Sequence, residues 1–164
     1  LFVEQLDGHA DPDERDLADR AVEALARAGD ADLEGPDIRA AEDGYQRALE
    51  LAGSERGWGL REAKILASLG EARYWLGEFE RAVPVLERAL ALGGDDPAVR
   101  AQAGRFLGDI ELSVRGDGKR AAVLLDDALE AARTLGDPWT VARTLLVAGW
   151  GPYWAGDGER ARVM

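Results

Sequence analysis

Apolar residues along the chain recur at intervals of three and four positions, the spacing that lines one face of an α-helix. The clearest segments share one pattern: an alanine, a large residue four positions later and a second alanine three positions after that. A further copy begins at Arg160-Ala161. Successive first alanines lie 41, 39 and 40 residues apart, so the sequence predicts a helical repeat of about forty residues. The three full sets are Ala41/Tyr45/Ala48, Ala82/Leu86/Ala89 and Ala121/Leu125/Ala128.

A glycine turn precedes each alanine set, and a second amphipathic stretch precedes each turn. That stretch carries a small residue seven or eight positions before the turn, which lets two helices approach to about 8–10 Å. Each repeat is therefore predicted to be a helix, a tight turn and a second helix. The turns are Gly35, Gly77, Gly116 and Gly156, and the small residues are Ala28, Gly70, Gly108 and Gly149.

Proline and glycine mark the predicted helix ends. Asp11-Pro12, Asp96-Pro97 and Asp137-Pro138 each place an N-cap carboxylate before a proline at the first helical position. No stretch alternates with period two for long enough to predict a sheet. The sequence therefore predicts an all-α chain of seven helices and the beginning of an eighth. The glycines suited to end the second helices are Gly53, Gly93-Gly94 and Gly136.

The segment from Leu66 to Leu92, LASLGEARYWLGEFERAVPVLERALAL, resembles a tetratricopeptide repeat. The family pattern is Leu-Gly, then a glycine, an aromatic residue, alanine, a large residue and Ala-Leu. Here it falls on Leu69-Gly70, Gly77, Phe79, Ala82, Leu86 and Ala89-Leu90. The aromatic residue usual three positions after Leu-Gly is replaced by Arg73, Glu111 and Pro152. In the helix interior, Pro152 is expected to bend or loosen its turn.

The resemblance implies an all-α fold, a TPR-like α-solenoid of antiparallel helix pairs with about 3.5 repeats of roughly 40 residues. We expect residues 1–12 to be a linker or the end of a preceding helix, and residues 13–164 to form the repeat domain. The expected repeats are about 13–53, 58–94, 97–136 and a truncated 138–164.

A second resemblance concerns the context of the repeats. Residues 11–52 are similar to the segment that opens the repeat array of large bacterial signalling proteins. In those proteins an ATPase module, often with a nucleotide-cyclase or helix-turn-helix output domain, precedes the repeats. This resemblance implies a fragment of a larger bacterial signalling or transcriptional regulator.

Composition and charge exclude several classes of function. The chain has 164 residues and 46% hydrophobic residues, which indicates a globular domain. The net charge of −12, with Lys and Arg scattered among Asp and Glu, argues against direct nucleic-acid binding. No apolar run reaches the roughly 20 residues that span a membrane. Without cysteines or a signal-peptide pattern, a cytoplasmic location is the expectation.

Candidate catalytic and metal-binding motifs fail on inspection. His9 is the only histidine, so a catalytic or metal site would depend on it alone. Asp30–Gly35 resembles half of a calcium loop, but Ala41 occupies the position of the bidentate glutamate. Gly118-Lys119 lacks the glycine and hydroxyl residue of a phosphate loop. We predict that the chain is not an enzyme and uses no cofactor or metal.

The tetratricopeptide resemblance implies a concave groove lined by the first helix of each repeat. The family's groove positions lie six and three residues before the Leu-Gly glycine and one, four and five after it. Five aromatics fall there, and they are predicted either to anchor a partner or to pack within the array. The groove residues most expected to contact a partner are Lys64, Glu71, Tyr74, Trp75, Gln102, Arg105, Asp109, Arg143, Trp150, Tyr153 and Trp154. The corresponding positions of repeat one are Val22, Leu25, Gly29, Asp32 and Leu33.

The expected function is that of a non-catalytic scaffold that binds a protein or peptide. The alternative is an effector-sensing or self-association module of an ATPase-linked, adenylate-cyclase-type regulator. Because the fourth repeat lacks most of its second helix, we also expect homodimerisation through the open C-terminal repeat.

Overall fold

A computed structural model describes residues 12–53 and 58–154 of the chain. Within these residues the structure contains seven helices and no strand. The all-α prediction is confirmed there, whereas His9 and the eighth helix, expected from Arg160, lie outside the described residues. The helices are α1 (Pro12–Glu34), α2 (Ile38–Ala52), α3 (Leu60–Trp75), α4 (Phe79–Gly93), α5 (Pro97–Ser113), α6 (Gly118–Leu135) and α7 (Pro138–Trp154).

Aspartate N-caps start four of these helices. The side chain of Asp96 accepts hydrogen bonds from the backbone N–H groups of Ala98 and Val99, at 2.9 and 3.1 Å. Asp137 likewise accepts from the backbone of residues 139 and 140. Two of the three predicted Asp-Pro caps are therefore confirmed, since α5 and α7 begin at the prolines, whereas Asp11 of the third lies outside the described residues. Asp37 and Asp117 cap α2 and α6 in the same way.

Consecutive helices form antiparallel pairs in which a glycine of the first helix lies under a large residue of the second. A Cβ atom on Gly70 would lie 2.3 Å from Cδ2 of Leu86, and one on Gly108 would lie 2.7 Å from Cγ of Leu125. Only glycine allows these backbones to come so close. The large residues of the alanine sets thus bury their side chains inside each repeat.

The close-approach residue of repeat one differs from the prediction. Ala28 is exposed, and its neighbour Gly29 lies against the ring of Tyr45 instead, where a Cβ would come within 2.8 Å of Cε1. The first repeat is therefore shifted by one residue relative to the predicted register. As a consequence Val22 and Gly29, which were expected in the groove, are buried.

The fourth small residue, Gly149, has a different environment. Among the described residues no atom lies within 4 Å of a Cβ placed there. The partner side chain that covers the equivalent glycine in the other three repeats would come from the second helix of repeat four. The described part of α7 therefore presents an open position at Gly149.

The hydrophobic core runs continuously through the stacked pairs. One cluster joins α3, α4 and α5 around Leu86, Phe106 and Ile110, and a second joins α1, α2 and α3 around Tyr45. Leu49 and Val85 pack against both clusters. Each helix pair therefore packs mainly on its sequence neighbours, as in a solenoid.

At two positions where a tetratricopeptide repeat usually has an aromatic residue, this chain has a charged one, Arg73 and Glu111. Both side chains form buried ion pairs. Nε of Arg73 lies 3.1 Å from a carboxylate oxygen of Glu42 in the preceding repeat, whose side chain is 4% exposed. Glu111, 2% exposed, pairs with Arg115 at 3.0 Å and with Arg120 at 3.4 Å. The contact between neighbouring helices is thus kept, but it is ionic.

Candidate partner-binding groove

The first helices of repeats two, three and four lie side by side, with α5 in contact with both α3 and α7. Seven of the eleven predicted groove residues meet on this face. We call this cluster the groove cluster and use the name for these residues only. Its members are Glu71, Tyr74 and Trp75 on α3, Gln102, Arg105 and Asp109 on α5, and Arg143 on α7.

Glu71 is the hub of the groove cluster, although its side chain is only 11% exposed. One carboxylate oxygen accepts a hydrogen bond from Nε2 of Gln102 at 2.7 Å. The other oxygen accepts from Nε1 of Trp75 at 3.3 Å and from Nη2 of Arg143 at 3.4 Å. A single carboxylate therefore links all three helices.

Arg105 is the most deeply buried cation of the groove cluster, with 9% of its side chain exposed. Its guanidinium carbon lies 3.9 Å from the ring centroid of Phe106, and Nη2 lies 4.0 Å from the nearest Glu71 oxygen. Burial, and secondarily the charge of Arg143, lowers the pKa of Arg105 to about 10. The group remains charged at neutral pH, with only a loose carboxylate contact.

An aromatic wall borders the cationic part of the groove. The ring of Tyr74 stands edge-on to Trp75 with centroids 5.2 Å apart, and it lies 4.9 Å from the centroid of Phe106. The hydroxyl of Tyr74 donates to Asp109. Burial, reinforced by this hydrogen bond, raises the pKa of Tyr74, so its hydroxyl is a fixed donor near neutral pH.

Two neighbouring cavities open along this face, and Arg105 and Arg143 line both. The polar cavity, of about 240 Å³, is bounded by α3, α5 and the start of α7. The aromatic cavity, of about 320 Å³, lies towards the ends of α3 and α5. The polar cavity is lined by Glu71, Ala98, Ala101, Gln102, Arg105, Leu135, Thr140 and Arg143. The aromatic cavity is lined by Tyr74, Trp75, Arg105, Phe106, Asp109, Arg143, Leu146 and Val147.

Large apolar side chains remain exposed at the rim of the aromatic cavity. Trp75 is 58% exposed and Leu146 is 67% exposed. Phe106, by contrast, is buried and forms the floor. Two exposed apolar groups facing one concavity indicate a surface that another molecule can cover.

Of the other four predicted groove residues, only Lys64 has a described side chain, and it lies outside the groove cluster. Lys64 is two helical turns before Glu71 and its Nζ lies 3.5 Å from Asp96, the N-cap of α5. Trp150, Tyr153 and Trp154 belong to the last turns of α7, which continues past Pro152 to Trp154. Their side chains lie outside the described part of the structure.

Several residues that line the cavities were not predicted from the sequence, among them Phe106, Val147 and Thr140. Phe106 and Val147 have the helical spacing of core residues. Phe106 does lie in the core, so the sequence gives no sign that its ring also lines the aromatic cavity. Thr140 lies three positions before Arg143 on the same helix face. That spacing could have identified Thr140.

Other classes of site find no support in the described residues. They contain no group of three or more His, Cys, Asp or Glu side chains placed to hold a metal ion. Asp30 of the half calcium loop instead accepts a 2.8 Å hydrogen bond from the hydroxyl of Tyr45. None of the described helices is long and apolar enough to cross a membrane.

Comparison with known proteins agrees with this architecture. A family model described as a tetratricopeptide repeat matches residues 63–106, which span most of α3, all of α4 and the first part of α5. The crystal structure of MamA matches 91% of this chain and 77% of its own, with a TM-score of 0.64 and 21% identity. No curated protein sequence matches the chain. The predicted TPR-like α-solenoid is confirmed as the fold.

Proposed function

We propose that the chain is a non-catalytic scaffold whose concave face, formed by α3, α5 and α7, binds a segment of another protein. The observation that carries this proposal is the pair of exposed apolar side chains, Trp75 and Leu146, at the rim of a concavity floored by Phe106 and Arg105. Exposed aromatic residues beside a partly desolvated arginine are the groups that most often dominate protein–protein binding.

A small effector is less well supported. The two cavities measure about 240 and 320 Å³, at or below the lower end of the range usual for small-molecule sites. Both are open to the same face, so an extended segment can contact them together. The matched tetratricopeptide model and the solenoid fold also favour a protein partner.

The proposal is tested by selecting binders from a phage-displayed library of random peptides and measuring their affinity by fluorescence anisotropy. Trp75→Ala removes the exposed anchor of the groove, so we expect selected peptides to bind about tenfold or more weakly. Trp139→Ala is the matched control, because Trp139 is 67% exposed on α7 and lines neither cavity.

Affinity that is unchanged by Trp75→Ala, or reduced equally by Trp139→Ala, would place the binding surface elsewhere. A library that returns no binder to the folded chain would also contradict the proposal. Circular dichroism of both variants checks that the helices remain intact.

The broader context stays a prediction from the sequence. Membership of a larger bacterial signalling or transcriptional regulator rests on the resemblance of residues 11–52, and the expected cytoplasmic location rests on the lack of cysteines and of a signal-peptide pattern. Self-association through repeat four is likewise a prediction from the sequence, and the 67% exposure of Trp139 on α7 favours it.

A further inference from the structure

The groove cluster contains more hydrogen-bond donors than acceptors. Each guanidinium carries about five N–H donors, whereas one carboxylate offers about four acceptor positions. Glu71 already accepts from Trp75 and Gln102 as well as from Arg143. Among the described residues the Arg105 guanidinium stacks on Phe106 and lies 4.0 Å from a Glu71 oxygen, but it makes no side-chain hydrogen bond, so its N–H groups face the solvent that fills the cavities. Nine-tenths of its side chain is buried, and it lines both cavities.

A bound partner that supplies a hydrogen-bond acceptor would therefore satisfy the remaining N–H donors of Arg105 and Arg143. A carboxylate is the best match, because charge-assisted hydrogen bonds to a guanidinium are about twice as strong as neutral ones. Asp109 does not fill this role, since its charge acts on Arg105 only from a distance, without an ion pair or hydrogen bond between them, and its Oδ2 accepts the hydrogen bond of Tyr74. The need for an acceptor is local to Arg105 and Arg143.

The chain's net charge of −12 does not determine whether the partner group bound beside Arg105 and Arg143 is acidic or basic. Charges farther than about 10 Å are largely screened at 0.1 M salt. The two arginines line the cavities directly, so their interaction with a bound group is little screened. Local donors therefore outweigh the distant acidic surface once the partner has docked.

The aromatic cavity adds a second requirement next to the first. Trp75 and Leu146 stand exposed at its rim and Phe106 lies beneath them. Because Arg105 and Arg143 border both cavities, a carboxylate in the polar cavity lies beside an apolar group in the aromatic cavity. One bound segment must then present both groups close together.

We propose that the groove cluster recognises a protein segment in which an internal Asp or Glu side chain adjoins a large apolar side chain. This inference rests on the proposed function and specifies the partner's chemistry. The carboxylate meets Arg105 and Arg143, and the apolar side chain covers Trp75 and Leu146. Helices α3 and α5 extend past the polar cavity on one side, to the Lys64–Asp96 pair, and past the aromatic cavity on the other, so a segment can cross the arginine pair, and an internal side chain is the carboxylate source.

The experiment uses short labelled peptides with blocked ends, each holding one Trp and one Glu at varied separation on a neutral background. Binding to the full 164-residue chain is compared with that of the same peptides carrying Gln or Lys instead of Glu. We expect the best Glu peptide to bind about tenfold more tightly than its Gln partner, the value of one charge-assisted pair. Arg143→Gln should remove this difference, because it deletes the more accessible guanidinium.

Arg133→Gln is the matched control, since Arg133 is exposed on α6 and lines neither cavity. It should leave the preference for Glu unchanged. Arg143→Glu provides a second readout: the preference should invert towards the Lys peptide. Thermal melts confirm that each variant is folded.

Three outcomes separate the hypotheses. If Gln or Lys peptides bind as tightly as Glu peptides, and Trp75→Ala still weakens them, the acidic specificity is wrong while the proposed function stands. If a peptide without Glu but with a free C-terminal carboxylate binds best, the internal source is wrong. If no peptide responds to Trp75→Ala, the proposed function itself fails.

Discussion

Arg105 carries a charge that the surrounding protein compensates only in part. Burial lowers its pKa from the ordinary 12.5 to about 10, which corresponds to about 3 kcal/mol of unfavourable free energy for the charged form in the folded state. The stacking on Phe106 returns about 2 kcal/mol at a desolvated site of this kind, which is less than the cost of burial. A buried cation held at such a cost is typical of a residue kept for binding.

Arg105→Met is therefore expected to stabilise the fold while weakening the binding of acidic segments. Methionine keeps a flexible apolar stem in the same space, and Glu71 retains Arg143, Gln102 and Trp75 as partners. We expect the free energy of unfolding to rise by roughly 1–3 kcal/mol, measured by urea titration.

Arg143→Met is the comparison for that prediction. Its side chain is 39% exposed and its burial cost is smaller, so the free energy of unfolding should change by less than about 1 kcal/mol. A loss of stability in Arg105→Met larger than in Arg143→Met would show that the buried guanidinium contributes net stability, which contradicts this interpretation.

Within each repeat the approach of two helices depends on a glycine that faces the partner helix. Leu86 fills the space above Gly70 and is itself fully buried, so it has little freedom to move away. Gly149 occupies the equivalent place in α7, yet the described residues leave the space above it open. Among the described residues the two equivalent glycines therefore differ in what covers them.

Substitution by alanine should separate these environments. Gly70→Ala places a Cβ 2.3 Å from Cδ2 of Leu86, and we expect a loss of roughly 1–3 kcal/mol in the free energy of unfolding from overpacking. Gly149→Ala should be neutral or stabilising by up to about 1 kcal/mol, because alanine is the better helix former. Thermal unfolding of the two variants provides the measurement, and equal destabilisation would mean that a helix also covers Gly149.

The whole molecule is a stack in which each helix pair is stabilised mainly by its neighbours. The cluster that joins α3, α4 and α5 is the larger core, and it is flanked on both sides. The described parts of α1 and α7 each have fewer neighbouring helices. Local stability in such arrays is the sum of repeat and interface terms, so the centre should be more stable than the ends.

Hydrogen exchange followed by mass spectrometry should reveal this gradient. We expect the slowest amide exchange in peptides from α3 to α5, and faster exchange in α1 and α7. Leu86→Ala, which removes a buried side chain between α3 and α5, should accelerate exchange in all three central helices. Uniform protection from α1 to α7 would indicate one cooperative unit and would contradict a nearest-neighbour description.

The sequence by itself determined the helices, their ends and their pairing. Asp96-Pro97 and Asp137-Pro138 specify where α5 and α7 begin because cap and proline act within one turn of the chain. The alanine sets recur every forty or so residues and specify which face of each second helix is buried. These features depend on neighbours a few positions away, so spacing alone reveals them.

Only the tertiary structure decided the register of repeat one and the composition of the groove. A shift from Ala28 to Gly29 rotates the buried face of α1 by about 100°, which moves Val22 from the predicted groove into the core. Lys64 forms an ion pair with Asp96. Glu71 instead accepts hydrogen bonds from Trp75 on its own helix and from Arg143 on α7. Such choices depend on the distances between side chains of different helices, and these distances follow from packing that no local pattern encodes.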